Sequence, residues 1–278
     1  DYSILEQHAE SYRKIRNTFR FLLGNLNDKK NNFDLNSKEV EKWPELERYI
    51  LHQIFTLNKS FEKYFKEYNF HKLYKELINF CSLDLSAFYF DIRKDILYCD
   101  GLKSEKRKIC INLLSLILDI LLKWFAPILS FTTEEIFQIV NPEKKSSIHL
   151  ESFPKIPSNW EDKKLSEKWE KLKIIRSVVN TGIEVKRSNK DIGSSLEANI
   201  EIYLNKEYLE LIKDINLSEY FITSKASAKH MIDDKKIFKL DDVPNIGVYV
   251  EKAKGEKCSR CWKILGNLCE RCSNVLKN

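Results

Sequence analysis

Apolar residues recur three and four apart through the first half of the chain. Tyr12, Ile15, Phe19, Leu22, Leu23 and Leu26 fall on one face of a helix over about 7–26, because at 3.6 residues per turn such positions share a side. The same spacing in Leu46, Ile50, Ile54, Leu57, Phe61 and Tyr64 predicts a helix over 45–68, and Phe70, Leu73, Leu77, Cys81 and Leu85 predict a third. Residues 104–125 make a fourth, with Ile109, Leu113, Leu116, Ile120 and Trp124 inward, and it ends at Pro127. Thr132 and Glu135 stand in capping-box spacing at the head of a fifth, which stops before Pro142. Long antiparallel helices with few turn signals describe a helical bundle over residues 1–142.

The pattern then changes. Pro142, Pro154 and Pro157 lie among polar residues, and 143–164 reads as a linker over the surface. Leu165, Trp169, Leu172, Ile175, Val179 and Ile183 restore helical spacing, residues 196–204 alternate as a strand does, 206–214 read helical, and 221–227 and 246–253 read as strands. Residues 165–250 therefore form a small α+β domain. The expected class is mainly α, a bundle followed by that domain and a separate C-terminal module over 251–278.

That module has too few large apolar groups to fold on burial alone: Trp262, Ile264, Leu265, Leu268, Val275 and Leu276. It has instead Cys258, Cys261, Cys269 and Cys272, spaced C-x2-C-x7-C-x2-C. Each C-x2-C turn brings two thiolates to one ion, and a hairpin turning near Gly266 returns the second pair. Four thiolates leave no open position, so the expected cofactor is one structural Zn(II) rather than a catalytic metal. A redox pair or disulfides are the competing readings; no secretory signal accompanies them. The remaining Cys81, Cys99 and Cys110 sit in apolar helical surroundings and read as buried small hydrophobes.

Composition adds limits. With 278 residues, 43% hydrophobic and 12% aromatic, the chain has room for two cored domains. The most apolar run, residues 109–129, is broken by Asn112, Ser115, Asp119, Lys123 and Pro127, so a membrane span is not expected and a cytoplasmic setting is. Net charge is +6, which permits a nucleic-acid partner without requiring one. Arg13, Arg16 and Arg20, with Lys14 alongside, make a basic ridge opposite the apolar stripe of the first helix; it suits phosphates or unpaired bases, or is a solvated, internally paired face. Trp262 stands between Arg260 and Lys263, as a base-stacking platform would, or else it is a lid on the metal site. The histidines His8, His52, His71, His149 and His230 are scattered, and no phosphate loop or nucleophile elbow is present, so no catalytic residue is assigned.

Several segments, in order, resemble the C-terminal part of bacterial-type isoleucyl-tRNA synthetase. SYRKIRNTFRFLLGNL (residues 11–26) is similar to the opening helix of that family's anticodon-binding bundle, LLKWFAPILSFTTEEIF (121–137) to its last helices, and IHLESFP (148–154) to the segment after it. IGSSLEA (192–198) resembles a motif of the following α+β region, and KCSRCW (257–262) with CERC (269–272) the terminal zinc module, although the seven-residue linker is shorter than the family's. The resemblance implies ATP-dependent attachment of isoleucine to its tRNA by a parent enzyme acting as a monomer, whose catalytic and editing domains precede this segment. This chain would then bind the anticodon stem and loop of tRNA(Ile), would not itself bind ATP, and would be inactive alone. The same region of a valyl-, leucyl- or methionyl-type relative, or a free-standing zinc module binding RNA or protein, are the alternatives. ITSKAS (222–227) is superficially similar to the lysine signature loop of class I synthetases, but no nucleotide-binding fold precedes it, and the match is read as coincidence.

Overall fold

The computed structural model describes residues 2–26, 38–143, 145–232, 234 and 236–277. Two compact units divide it: residues 1–97 with 102–163, and residues 98–101 with 164–278.

The first unit is helical: α1 (Tyr2–Leu26), α2 (Glu45–Lys66), α3 (Phe70–Asn79), a wide-turned π-type stretch (Phe80–Phe90), α4 (Asp91–Cys99), α5 (Glu105–Phe125) and α6 (Ser130–Val140). Ile15, Phe19 and Leu22 of α1 are buried, as the spacing requires, and α1 packs on α5 and on the π-type stretch. Aromatic contacts set the middle of the core, with Phe19 edge-on to Phe125 at 6.0 Å and Phe61 stacked on Trp124 at 5.6 Å. Ser104 caps α5 by accepting the Arg107 N–H at 3.3 Å.

Two expectations shift here. The third helix does not end near Leu85; it continues through the π-type stretch into α4, where the wider turn sets the buried Phe80, Cys81, Leu85, Tyr89 and Phe90 off the 3.6-residue period while Leu83 stays exposed. The capping box is not formed. α6 begins earlier, at Ser130, where Thr132 Oγ1 pairs with Tyr12 Oη at 2.9 Å instead of capping. Residues 148–150 and 158–160 form short 3-10 turns in the same unit, with Ile148 and Trp160 buried and Phe153 edge-on to Phe61 (5.0 Å) and Phe65 (4.9 Å).

The second unit holds α7 (Lys163–Ser188, from Lys164 onward), β1 (Ala198–Leu204), α8 (Lys206–Leu211), α9 (Leu217–Tyr220), β2 (Lys225–His230), β3 (Phe238–Leu240), β4 (Val243–Lys252) and α10 (Glu270–Lys277). Its sheet runs β2-β1-β4-β3, with β1 parallel to β2 and antiparallel to β4, Ile200 opposite both Ala226 and Val250. Ala198, Ile200, Ile202 and Leu204 of the inner strand are all buried. Gly182 lets α7 approach the sheet, since a Cβ there would lie 2.5 Å from Val248 Cγ1. The expected strand over 221–227 lies later, at β2. Phe221 and Ile222 are apolar because they are buried beneath neighbours, and Ile222 has a φ of +57° that no strand adopts.

Cys81, Cys99 and Cys110 are buried. Burial pushes the Cys81 thiol up to about 12, and it also raises Cys110. Among the described residues no helix is long and apolar enough to cross a membrane.

Candidate metal centre and nucleic-acid interface

Local backbone bonds build the cysteine site. Cys258 N–H donates to Lys263 O (2.8 Å) and Trp262 N–H to Cys258 O (3.0 Å), which closes the first knuckle. Lys257 bridges Ile264 in antiparallel fashion and Gly266 N–H returns to Glu256 O (3.0 Å), so the hairpin turns through 258–263, the first knuckle itself; Gly266, at a φ of +112°, lies on the returning arm rather than at the turn where the spacing placed it. Cys269 then leads into α10, which carries Cys272.

All four sulfurs are buried and lie within 4.8 Å of one another, Cys261 and Cys269 at 3.7 Å. Metal–sulfur bonds of about 2.3 Å arranged tetrahedrally set sulfurs roughly 3.8 Å apart. The four cysteines are thus positioned to hold a metal ion. Their electrostatics suit one. Burial opposes the Cys258 thiolate, but the N–H groups of Cys261, Cys269 and Arg260 outweigh it and bring that thiol down to about 6. Burial pushes Cys261 up to about 12, with Cys258 and Cys269 adding to the rise, and burial likewise raises Cys272. One thiolate forms readily; ionising all four calls for a cation among them.

The module is fixed to its surroundings within the second unit by polar contacts. Ser224 Oγ accepts the Ile264 N–H (2.6 Å) and donates to Leu196 O (2.5 Å). This gives the ITSKAS segment a structural role. Arg260 donates to the carbonyls of Cys99 and of Tyr98, the latter at 3.4 Å, and Arg271 pairs with Asp100 at 3.5 Å. Cys99 completes the buried cysteine cluster, its Sγ 3.9 Å from Arg260 O. Sequence spacing gave no sign of this fifth thiol, since its neighbours lie some 160 positions away.

The RNA candidates separate accordingly. Trp262 is 61% exposed at a φ of +66°, so it does not cover the metal site as a lid would. Lys263 is buried and reaches Ser218 O at 3.4 Å, and Arg260 is engaged as above, so the two cations beside Trp262 serve the unit itself. On α1, Arg13, Lys14, Arg16 and Arg20 are all exposed, and Arg13 pairs with Glu10 at 3.3 Å. The structure brings the four cysteines together, and it keeps the ridge and Trp262 open to solvent.

A helical bundle followed by a small sheet and a four-cysteine module is the class of architecture the chain presents. Residues 47–203 match the family model described as the anticodon-binding domain of tRNA ligase, and the chain belongs to that family. It is 56% identical over 274 residues to the isoleucine-tRNA ligase of Pelagibacter ubique, which covers 99% of this chain and 29% of that protein. It is 40% identical over 265 residues to the isoleucine-tRNA ligase of Mesorhizobium japonicum, covering 94% of this chain and 26% of the relative. With the isoleucine-tRNA ligase of Ruegeria pomeroyi it shares 37% over 282 residues, 98% of this chain and 29% of the relative. The chain thus spans less than a third of the curated relatives it matches, in their C-terminal region.

Proposed function

We propose that this chain is the anticodon-recognising part of an isoleucine-tRNA ligase, gripping the anticodon stem and loop of tRNA(Ile) for catalytic and editing domains carried elsewhere in the same polypeptide. The whole enzyme would attach isoleucine to tRNA at the expense of ATP in the cytoplasm, as a monomer. This chain supplies recognition and no chemistry. The observation that carries the reading is Trp262. A large ring left 61% exposed, on a left-handed backbone position that favours glycine, is disfavoured in the free fold. Stacking on an unpaired base would offset that cost, and each such stack contributes about 1–3 kcal/mol.

Lys14, Arg16 and Arg20 act in the same reading as phosphate contacts along the stem, their guanidinium and ammonium groups exposed on one side of α1. The metal in the cysteine site is one structural Zn(II), held by Cys258, Cys261, Cys269 and Cys272. When bound it supplies folding free energy to the module and fixes the knuckle that displays Trp262.

The test uses the zinc-loaded chain and labelled tRNA(Ile) transcripts. Binding is expected to weaken when the anticodon alone is altered, to fall as salt rises, and to weaken in W262G without loss of melting temperature. Equal affinity for both transcripts would sink the anticodon reading. Elemental analysis should return one zinc per chain.

A further inference from the structure

Tyr68 closes α2 in a conformation that suits glycine. Its φ is +54°. Its N–H bonds Phe65 O (3.2 Å) and the next N–H, of Asn69, reaches Tyr64 O (2.8 Å). These two bonds are the Schellman stop, whose left-handed residue is commonly glycine because a Cβ crowds the following carbonyl. Burial does not compensate. The side chain is 81% exposed, its ring meeting Phe70 edge-on at 6.3 Å.

The corner around it is cationic. Lys63 and Lys72 each hold their ammonium 5.9 Å from the centroid of the Tyr64 ring, and Lys66, His71 and Lys75 are exposed on the same two helices. Among the described residues, none of Lys63, Lys66, Lys72 and Lys75 has a carboxylate partner within salt-bridge distance. Three carboxylates, Glu62, Glu67 and Glu76, stand against these four lysines, and Glu62 also accepts from Asn58 Nδ2 at 2.9 Å, which leaves a net positive charge before His71 is counted. α3 also starts here, at Phe70 with Asn69 as its cap, and adds the positive end of its dipole.

We propose that the α2–α3 corner is a second RNA-stacking site, in which an unpaired base lies on the Tyr68 ring and Lys63, Lys66 and Lys72 hold the phosphates on either side. The proposal rests on the tRNA reading above and extends it to a surface of the helical unit. Charge complementarity favours a polyanion, and the exposed large apolar groups of the corner are the aromatic Tyr68 and Phe70 rather than the aliphatic side chains a lipid surface would take up. The corner repeats the construction at Trp262, an exposed ring on a left-handed residue, in a separate unit of the same chain.

The experiment titrates the zinc-loaded 278-residue chain into labelled tRNA(Ile) transcript and follows thermal melting in parallel. Y68G should bind about 5- to 100-fold more weakly while melting at the same temperature or higher. Y68N, equally suited to that φ, should do likewise, and Y68F should bind within about twofold. K63Q/K72Q should flatten the slope of log affinity against log salt by roughly 1 to 2. Transcripts with 4-thiouridine at unpaired positions should crosslink to the peptide carrying Tyr68. Unchanged affinity in Y68G and Y68N overturns the proposal. So does an equal loss against a fully paired RNA, which would mean that no base is stacked, and so does a loss confined to phosphatidylserine vesicles. If W262G weakens RNA binding and Y68G does not, this site falls and the tRNA reading stands; if the unaltered chain binds no RNA, both fall.

Discussion

Each unit buries a cluster of acidic or thiol groups, and the two clusters are completed in opposite ways. In the helical unit the Glu47 carboxylate has no solvent exposure, and Arg93 meets it with two hydrogen bonds of 2.6 Å. Tyr89 Oη donates to it at 3.1 Å, and Cys110 Sγ lies 3.5 Å away. Burial opposes the charge on Arg93, but Glu47 outweighs it and holds the guanidinium above its ordinary value. Burial, with Cys110 and Glu47 adding, pushes the Tyr89 hydroxyl well up. α2, the π-type stretch, α4 and α5 each contribute one group, so the chain supplies its own counterion. In the second unit four thiols converge, and the chain offers them one guanidinium, that of Arg260, hydrogen-bonded to Cys272. The bundle is a closed electrostatic unit, whereas the four cysteines are positioned to be completed by a metal ion.

Metal removal is the largest test of that contrast. Structural sites of this kind bring about 10 to 16 kcal/mol of folding free energy to their modules. Chelation should therefore erase amide protection over 256–277 in hydrogen exchange and leave α2 and α5 protected. Protection that survived in the module would mean that its own contacts suffice, and the contrast would disappear. Next in size is the ion pair. Arg93→Ala leaves a buried carboxylate uncompensated and should cost about 3–5 kcal/mol in denaturant unfolding of the helical unit. Replacing Glu47 and Arg93 together by Met should recover most of that loss; a double variant as damaged as the single would show that packing, not charge, is at stake.

How much of this was legible in the sequence depends on whether the cause is local. α1, α2, α7, β1 and β4 follow from periodicity because each has a distinct buried face, and α5 because its polar residues Asn112, Ser115, Asp119 and Lys123 recur three and four apart. The four-cysteine cluster follows from spacing because fifteen residues contain the whole site. The π-type stretch and α4 did not, since the wider turn moves the buried side chains off the 3.6-residue period. β2 was misplaced because Phe221 and Ile222 are apolar for tertiary reasons. Arg260 and Lys263 flank Trp262 in sequence, and only the fold reveals that they also bond the carbonyls of Tyr98, Cys99 and Ser218, which are distant in sequence. Tyr68 and Trp262 stand out through backbone angle and exposure together, neither of which a one-dimensional pattern carries.

The two smallest predictions locate the boundary of the contrast. The sheet of the second unit should behave as the bundle does, governed by packing, because Gly182 faces Val248 and Phe238 with no room for a methyl group. Gly182→Ala should cost about 1–3 kcal/mol without releasing metal. In the helical unit, His52 Nδ1 accepts the Asp162 N–H at 2.9 Å, which requires the neutral ring. Burial lowers its pKa from 6.5, against the opposing pull of Asp162 and Glu161. A base whose folded pKa lies below its unfolded value binds its proton more readily when unfolded. Its contribution is therefore fully present above pH 6.5 and is lost as pH falls from there toward the folded value. Melting of the helical unit should fall between pH 7.5 and 5.5 by more in the unaltered chain than in H52Q, whose amide oxygen can accept the same N–H at either pH. Equal slopes would assign the acid sensitivity of this unit to its carboxylates, and the ring to packing alone.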